Sequence, residues 1–325
     1  MIPRDLAGLR ACLAALALAA AAGVAAQAYP SRPIRLIVPA GSGGGVDTVS
    51  RVVGQALSAA LEQPVIMDNR PGAGTMLASE LTAKSPPDGY TLLMATNSHA
   101  INAGIHRKLR YDPVNDFATV TLVASVPYFV VAHPSVPVKS VKDLIALARR
   151  RPGELYFASA GSGSGTHLAF ELFNSMAGLN MVHVPYRGGS AAMVDLIGGH
   201  VQLMISNTIN SRPHIAAKKL NALGITSSAR STLFPQVPTV SESGLPGYQA
   251  DVWYGVLVPA RTPPEVIARL NREIVAVVKS GDVREKLASQ GAEVLAGTPE
   301  AFAAVLKNDI GKWARVTSGL KLQMN

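Results

Sequence analysis

The sequence predicts an α/β protein of two lobes, each a mainly parallel sheet flanked by helices. Short apolar strands alternate with amphipathic helices, an order typical of parallel sheets. Glycine-rich or polar loops follow successive strands in two separate regions, so each region carries its own row of loops. Two apolar runs, at 120–132 and 252–258, are long enough to pass from one region to the other. We interpret these runs as a two-strand hinge.

Length and composition indicate a folded protein of about two domains. Among the 325 residues, 48% are hydrophobic and 16% are charged. These proportions supply enough apolar side chains for buried cores and too few charges for a disordered chain.

Residues 1–28 have the pattern of a secretory signal peptide. Arg4 and Arg10 make its start positive, residues 11–26 form a short run of small apolar side chains, and Ala26-Gln27-Ala28 is a small-x-small cleavage site. The alternative is an uncleaved membrane anchor, for which the run is short. We therefore expect a periplasmic protein that is cleaved after Ala28.

The expected mature chain is basic and has no cysteine. Cys12, the only cysteine, lies in the signal segment, so disulfides, thiolate catalysis and cysteine metal sites are excluded from the mature chain. Without Arg4, Asp5 and Arg10, the chain keeps 28 basic and 20 acidic side chains, a formal charge of +8. Such a protein attracts a small acidic ligand.

Three strand, loop and helix units form the first region. Residues 34–38 are predicted to be a buried strand, and apolar residues at 46, 49, 53, 56 and 60 have the spacing of a helix. The next units place strands at 65–67 and 90–95, loops at 68–74 and 96–99, and a helix at 75–84. Loops of this kind gather at the carboxyl edge of a parallel sheet, where ligands bind.

The second region repeats this order. Its predicted strands at 156–158, 182–186 and 201–205 lead to loops at 159–166, 187–190 and 206–207. After the second apolar run the chain is predicted to be helical, with start signals at Thr262-Pro263 and Thr298-Pro299. We expect these helices to return to the first lobe, giving lobe 1 residues 29–126 plus 255–325 and lobe 2 residues 127–254.

The loop at 38–47 joins the first strand to a helix N-terminus, where backbone amides and the helix dipole favour an anion. It is not a dinucleotide fingerprint, because Val46 stands where the third glycine of G-x-G-x-x-G belongs. The chain also lacks the phosphate-loop pattern G-x-x-x-x-G-K-[ST]. One glycine loop could be a simple tight turn, whereas recurrence at strand ends in both regions favours a cleft that binds an anion.

The carboxylate of Asp47 can have either of two roles beside an anion site. It can lie in the first helical turn and pair with Arg51 one turn later, a structural role that the spacing favours. Alternatively, its carboxylate can accept hydrogen bonds from a hydroxyl or amine of the ligand.

Enzymatic, metal and nucleic-acid functions have weaker support. No serine has the glycine spacing of a nucleophile elbow, so Ser162, Ser164 and Thr166 suit carboxylate binding better, and His167 suits packing better than base catalysis. The histidines show no metal-binding spacing, and we predict no cofactor or metal. The arginines at 149–151 fit a solvated helix end and not a nucleic-acid surface.

Several sequence motifs resemble those of the extracytoplasmic solute-binding proteins of tripartite tricarboxylate transporters, often called Bug proteins. The resemblance covers almost the whole mature chain and rests on several motifs that occur in the same order as in the family. The motifs are Asp68-Asn69-Arg70-Pro71-Gly72-Ala73-Gly74, Pro87-Asp88-Gly89-Tyr90-Thr91-Leu92-Leu93, Tyr111-Asp112-Pro113, Asp116-Phe117, His183-Val184-Pro185-Tyr186-Arg187-Gly188-Gly189 and Val237-Pro238-Thr239-Val240.

The resemblance implies a two-lobed periplasmic binding protein fold, type II-like, that closes over a small carboxylated ligand. Loop amides and hydroxyls at helix starts, with ordered waters, would hold the carboxylates. Carried over by position, the implied ligand-binding residues are Gly43, Gly44, Asp47, Gly72, Ala73, Asn97, Ser162, Gly163, Ser164, Thr166, His167, Gly188, Gly189, Ser206 and Asn207.

The chain departs from the family pattern at three places. Ala40 replaces a common aromatic residue, which predicts more room on that side of the pocket. Val46 replaces a hydroxyl residue and so removes a donor. Ser206 stands where an aspartate is frequent, which weakens the expectation of an amine on the ligand.

We therefore expect a periplasmic receptor, not an enzyme, that captures a small organic anion and delivers it to the integral-membrane permease subunits of a tripartite transporter. It is expected to be a monomer that binds no nucleic acid. A sensing protein that reports ligand occupancy to a membrane signalling partner is the alternative, and an exported Ser/His hydrolase is a third. Tricarboxylates, dicarboxylates, aromatic acids, acidic amino acids and nicotinic-type acids all remain open as ligands.

Overall fold

The computed structural model describes residues 29–106, 108–231 and 234–319. The predicted signal peptide at 1–28 and its cleavage site after Ala28 lie outside the described residues. Among the residues that are described, no helix combines the length and the apolar character needed to cross a bilayer.

Strands and helices alternate along most of the described chain. The strands are β1 (Ile34–Val38), β2 (Val65–Asn69), β3 (Thr91–Thr96), β4 (Phe117–Ala132), β5 (Tyr156–Ser159), β6 (Val182–Pro185), β7 (Leu203–Asn207), β8 (Asn221–Ile225), β9 (Asp251–Pro259) and β10 (Glu293–Val294). The helices are α1 (Gly45–Leu61), α2 (Met76–Ala83), α3 (Asn97–Ile105), α4 (Val141–Arg150), α5 (Gly165–Ala177), α6 (Gly189–Ile197), α7 (Thr208–Ala216), α8 (Pro264–Lys279), α9 (Gly281–Ser289) and α10 (Pro299–Gly319).

The strands form one mixed sheet in the order β2-β1-β3-β9-β4-β7-β5-β6, with β8 and β10 also pairing with β4. Strands β1, β2 and β3 are parallel, and so are β5, β6 and β7. The α/β prediction with parallel groups is confirmed. Strand β9 differs, because it inserts antiparallel between β3 and β4.

The long strand β4 belongs to both parts of the sheet. Its residues 117–127 pair with β9, and its residues 128–132 pair with β7. Because β9 also pairs with β3, these two apolar strands connect the two parallel groups. This arrangement agrees with the prediction that the two long runs join the two regions.

Helices cover both faces of the sheet and supply the cores. Helix α1 is confirmed, and Val46, Val49 and Val53 of its predicted apolar stripe are buried. The buried stripe continues through Leu57, whereas the predicted positions 56 and 60 are half-buried and exposed. A smaller cluster joins the two regions: Leu168 of α5 packs with Ile101 and Ile105 of α3 and with Trp313 of α10. The C-terminal helix thus packs against α3 of the first region and also contacts α5 of the second.

Several local predictions differ from the structure, among them the loops at 68–69 and 206–207, which are the last residues of β2 and β7. Residues 97–99, predicted as a polar loop, begin α3, because the Thr96 hydroxyl accepts the Ser98 amide and the polar side chains find partners inside the protein. Helix α8 begins at Pro264, because the Thr262 hydroxyl donates to the Pro259 carbonyl (2.7 Å) and does not cap the helix. By contrast, Thr298 accepts the Ala301 amide at the start of α10, as predicted.

Candidate functional site

A cavity of about 380 Å³ lies where the carboxyl ends of the two parallel groups face each other. We call residues 39–46, 71–75 and 96–98 the first loop set, and residues 160–166, 185–189 and 206–210 the second loop set. Members of both sets line the cavity. This position is expected, since the loops that follow parallel strands gather at one edge of the sheet.

Tyr128 and Tyr254 lie at the floor of this cavity. Tyr128 of β4 is paired with Asn207, the last residue of β7, and Tyr254 of β9 is paired with Thr96, the last residue of β3. Both rings are therefore fixed at the carboxyl edges of the parallel groups. Both side chains are about 2% exposed.

Asp47 holds the first loop in place. Its carboxylate accepts hydrogen bonds from the Gly43 amide, from Arg51 Nε and from Asn69 Nδ2, each at 2.9 Å. Burial alone would raise the pKa of Asp47, but these hydrogen bonds and the Arg51 charge lower it below its ordinary value. The predicted ion pair with Arg51 is confirmed. Its oxygens face the loop, and Asp47 is not among the residues that line the cavity.

Three of the described helices, α1, α2 and α6, begin at the cavity without a side-chain cap, and two of them face each other. Gly44 precedes α1 and Gly188 precedes α6, and neither helix start is capped by a side-chain hydrogen bond. These ends face each other, since a side chain at Gly44 would lie within 3.8 Å of Ser190 Oγ in α6. Uncapped first-turn amides and the two helix dipoles favour an anion between them.

The loop at 160–166 is held by its own hydroxyls. Thr166 Oγ1 accepts the Ala160 amide (3.0 Å) and lies 3.1 Å from Ser164 Oγ, which also accepts the backbone amide of His167. The imidazole of His167 accepts the Gly163 amide at Nδ1 (3.3 Å). Ser164 therefore contacts the backbone of His167 and not its ring, an arrangement that does not resemble a serine activated by a base.

Two neutral histidines stack beneath this loop. The rings of His167 and His183 are 3.9 Å apart, and His183 Nε2 lies 2.6 Å from Ser159 Oγ. Burial lowers the pKa of His167 to about 3, with a further contribution from His183, and burial lowers the pKa of His183 to about 4. Because His167 Nδ1 accepts a backbone hydrogen bond, protonation there would break a contact that shapes the loop.

Acid is therefore expected to destabilise the protein through these histidines. A histidine in the unfolded chain titrates at about pH 6.5, so below that pH the unfolded chain binds protons that the folded chain does not. The unfolding free energy should fall by about 1.4 kcal/mol per pH unit for each histidine until the pH reaches the folded pKa. Urea unfolding of His167→Asn, which keeps an acceptor, should show a shallower pH dependence than the wild type. His200→Asn, at an exposed position, is the control, and equal slopes for all three proteins would contradict the prediction.

The structure brings eleven of the residues implied by the resemblance to the cavity wall. They are Gly44, Gly72, Ala73, Asn97, Ser162, Ser164, Thr166, Gly188, Gly189, Ser206 and Asn207. The other four lie behind the wall as two hydrogen-bonded pairs, Gly43 with Asp47 and Gly163 with His167. These four residues hold the loops in place, and the other eleven residues line the cavity.

Other lining residues were not singled out from the sequence. Tyr128 and Tyr254 lie inside apolar runs, which hid them among core residues. Arg187 belongs to the motif at 183–189, but the resemblance implies no ligand-binding role for it. It is the only charged side chain among the described residues that line the cavity, and it is exposed.

The two loop sets are in close contact. A Cβ atom added at Gly45 would lie 2.6 Å from Asn207 Nδ2, and one added at Gly74 would lie 2.5 Å from the Ser162 carbonyl oxygen. Both distances are too short for side-chain carbon, so glycine is required for this approach. Glycine at these two positions therefore lets the two loop sets approach each other beside the cavity.

Similar proteins are known. A family model described as the tripartite tricarboxylate transporter family receptor matches residues 49–322. The match starts after the first glycine loop. Protein BugT of Bordetella pertussis is 40% identical over 307 residues, which is 93% of this chain and 94% of that protein.

Solved structures agree with this result. R. palustris Rpa4515 with adipate has a TM-score of 0.88 at 36% identity, covering 90% of this chain and 98% of that one. The periplasmic binding protein BugD has a TM-score of 0.88 at 30% identity, covering 91% and 100%. MatC (Rpa3494) from Rhodopseudomonas palustris with bound malate has a TM-score of 0.85 at 31% identity, covering 89% and 99%.

Proposed function

Because the chain belongs to the receptor family of tripartite tricarboxylate transporters, we propose that it binds a small carboxylated anion in the periplasm and delivers it to membrane permease subunits. The proposal takes residues 29–126 plus 255–325 as lobe 1 and residues 127–254 as lobe 2. The ligand lies in the cavity between them. Two similar structures contain carboxylates, adipate in one and malate in the other.

One observation supports anion binding more than any other. The uncapped starts of α1 and α6 face each other across the cavity, and Arg187 is the only charged residue among the described lining residues. The wall thus offers backbone donors and a single cation, and no carboxylate that would repel an acid. Binding by hydrogen bonds and helix-terminal charge requires no covalent chemistry.

Isothermal titration with succinate, malate, adipate and citrate tests the proposal on the mature protein. We expect at least one of these acids to bind and to raise the melting temperature, since a ligand of the folded state stabilises it. Binding of none of these acids would contradict the proposal. Delivery is tested separately, by uptake of the bound acid in cells that carry the permease subunits with and without this receptor.

Arg187→Ala should weaken binding of the acid by about 10-fold, because a hydrogen bond to a charged group is lost. The loss should shrink as salt is added, since Arg187 is exposed. Arg151→Ala is the matched control, because it removes the same charge from an exposed position just after α4, outside the cavity. Equal effects of the two changes would argue against a direct contact between Arg187 and the ligand.

A further inference from the structure

Three buried polar side chains meet at the bottom of the cavity. Asn97 begins α3, Tyr128 lies on β4 and Tyr254 lies on β9; we call these three residues the floor group. None is more than 2% exposed. Buried polar atoms normally have hydrogen-bond partners, so the donors and acceptors that this group leaves unpaired indicate what it can bind.

The Asn97 amide has a fixed orientation, and its oxygen is buried beside the Tyr128 hydroxyl. Its Nδ2 donates to the Asp251 carbonyl oxygen (3.0 Å), which can only accept, so Oδ1 must be the atom on the other side. Within the described part of the chain, Oδ1 is buried and has no hydrogen-bond partner. It is too deeply buried for a ligand to reach, and the adjacent Tyr128 hydroxyl is the group placed to donate to it, which leaves the Tyr128 oxygen as an acceptor at the cavity.

The two phenols supply both kinds of hydrogen-bonding group. The Tyr128 hydroxyl lies beside the Asn97 amide, and a Cβ atom added at Gly165 would be 2.7 Å from both groups. The Tyr254 hydroxyl makes no hydrogen bond to the residues that the structure describes. Burial raises the pKa of both phenols above the ordinary value, so both keep their protons.

No negative charge is available to a ligand amine. The described residues that line the cavity include no aspartate or glutamate. The Asp47 carboxylate is occupied by Gly43, Arg51 and Asn69. Asp251 presents its backbone carbonyl to Asn97, and its carboxyl lies near Thr226 and Gln249. An ammonium group at the floor would lose its hydration without gaining a counter-charge.

We propose that the floor group binds a neutral hydroxyl substituent on the carboxylate ligand. A hydroxyl donates to the Tyr128 oxygen and accepts from the Tyr254 hydroxyl, whereas a methylene group satisfies neither and an ammonium group can only donate. The preferred ligands are therefore hydroxy acids, ahead of the unsubstituted acids and of the amino acids with the same carbon skeleton. This inference rests on the proposed function.

Three matched series of acids test the inference by isothermal titration. They are succinate, malate and aspartate; glutarate, 2-hydroxyglutarate and glutamate; and adipate, 2-hydroxyadipate and 2-aminoadipate, with both enantiomers of each chiral acid. In a series that binds, one enantiomer of the hydroxy acid should bind about 10-fold more tightly than the unsubstituted acid. The amino acid should bind more weakly than the unsubstituted acid.

Tyr254→Phe keeps the ring and removes only the hydroxyl. It should reduce the affinity ratio of hydroxy to unsubstituted acid from about 10 to about 2. Tyr248→Phe is the control, because the buried Tyr248 hydroxyl donates to the Ala169 carbonyl (2.8 Å) and does not line the cavity. This control should leave the ratio unchanged.

The outcomes separate this inference from the function on which it rests. Binding of acids without a preference for the hydroxyl, tightest binding of an amino acid, or an unchanged ratio in Tyr254→Phe would overturn the floor group and leave the carboxylate receptor intact. Absence of binding for every acid in all three series would overturn the proposed function and, with it, this inference.

Discussion

Gly74→Ala is expected to weaken ligand binding by about 10- to 100-fold while the protein stays folded. The added Cβ would lie 2.5 Å from the Ser162 carbonyl oxygen, so the two loop sets could not approach as closely as they do in the structure. Overpacking of this kind against backbone typically costs about 1–3 kcal/mol. Titration with the tightest-binding acid measures the loss. Small-angle scattering at saturation should show a larger radius for the variant than for the wild type.

Gly178→Ala is the control that separates this clash from backbone strain. Gly178 has φ 63° and ψ 45°, close to the φ 59° and ψ 32° of Gly74, so alanine is strained to a similar degree at both positions. No atom of the described residues lies within 4 Å of a Cβ at Gly178, which follows α5. If the two variants lost equal affinity, the contact between Gly74 and Ser162 would have no role in binding.

Asp47→Ala is expected to lower the free energy of unfolding by about 3 kcal/mol and to weaken ligand binding as well. The substitution removes the acceptor of three hydrogen bonds and leaves the Gly43 amide and the Asn69 side chain without this partner. The first loop then loses the contact that joins its glycine turn to α1. Urea unfolding measures the stability, and titration with a bound acid measures the consequence for the site.

Asp143→Ala provides a matched comparison for Asp47→Ala. Asp143 also lies in the first turn of its helix, and its carboxylate accepts the backbone amide of Lys139, four residues earlier, at 3.0 Å. It is exposed, is not paired with an arginine in the described structure and lies away from the cavity. We expect a smaller loss of stability and no change in binding. A similar loss at both positions would show that burial and Arg51 add nothing to the role of Asp47.

The elements that local patterns specify could be predicted from the sequence. Strand β1 and helix α1 follow from a buried apolar run and a helical spacing, and the ion pair of Asp47 with Arg51 follows from a separation of one helical turn. The third partner of Asp47 could not be predicted in this way. Asn69 lies 22 residues away, and only the parallel pairing of β1 with β2 brings it beside the first loop.

The remaining errors have a common cause, which is that polarity alone does not reveal burial. The polar start of α3 predicts a loop, whereas in the structure Asn97 and His99 are each about 1% exposed and are held by protein partners. Conversely, the apolar runs around Tyr128 and Tyr254 predict core strands, and nothing in those runs indicates that the two hydroxyls reach the cavity. Only the register of β4 and β9 shows that both rings end at the cavity.

The place of β9 in the sheet also determines the order in which the protein can fold. This strand, residues 251–259, lies between β3 and β4, so two neighbours that precede it by more than a hundred residues cannot be joined until it is present. Contacts of such long sequence separation slow folding, because the chain must close large loops before any pairing stabilises them. A chain that is still lacking its last quarter therefore keeps two strand edges open, and it depends on partners or on rapid completion to avoid aggregation.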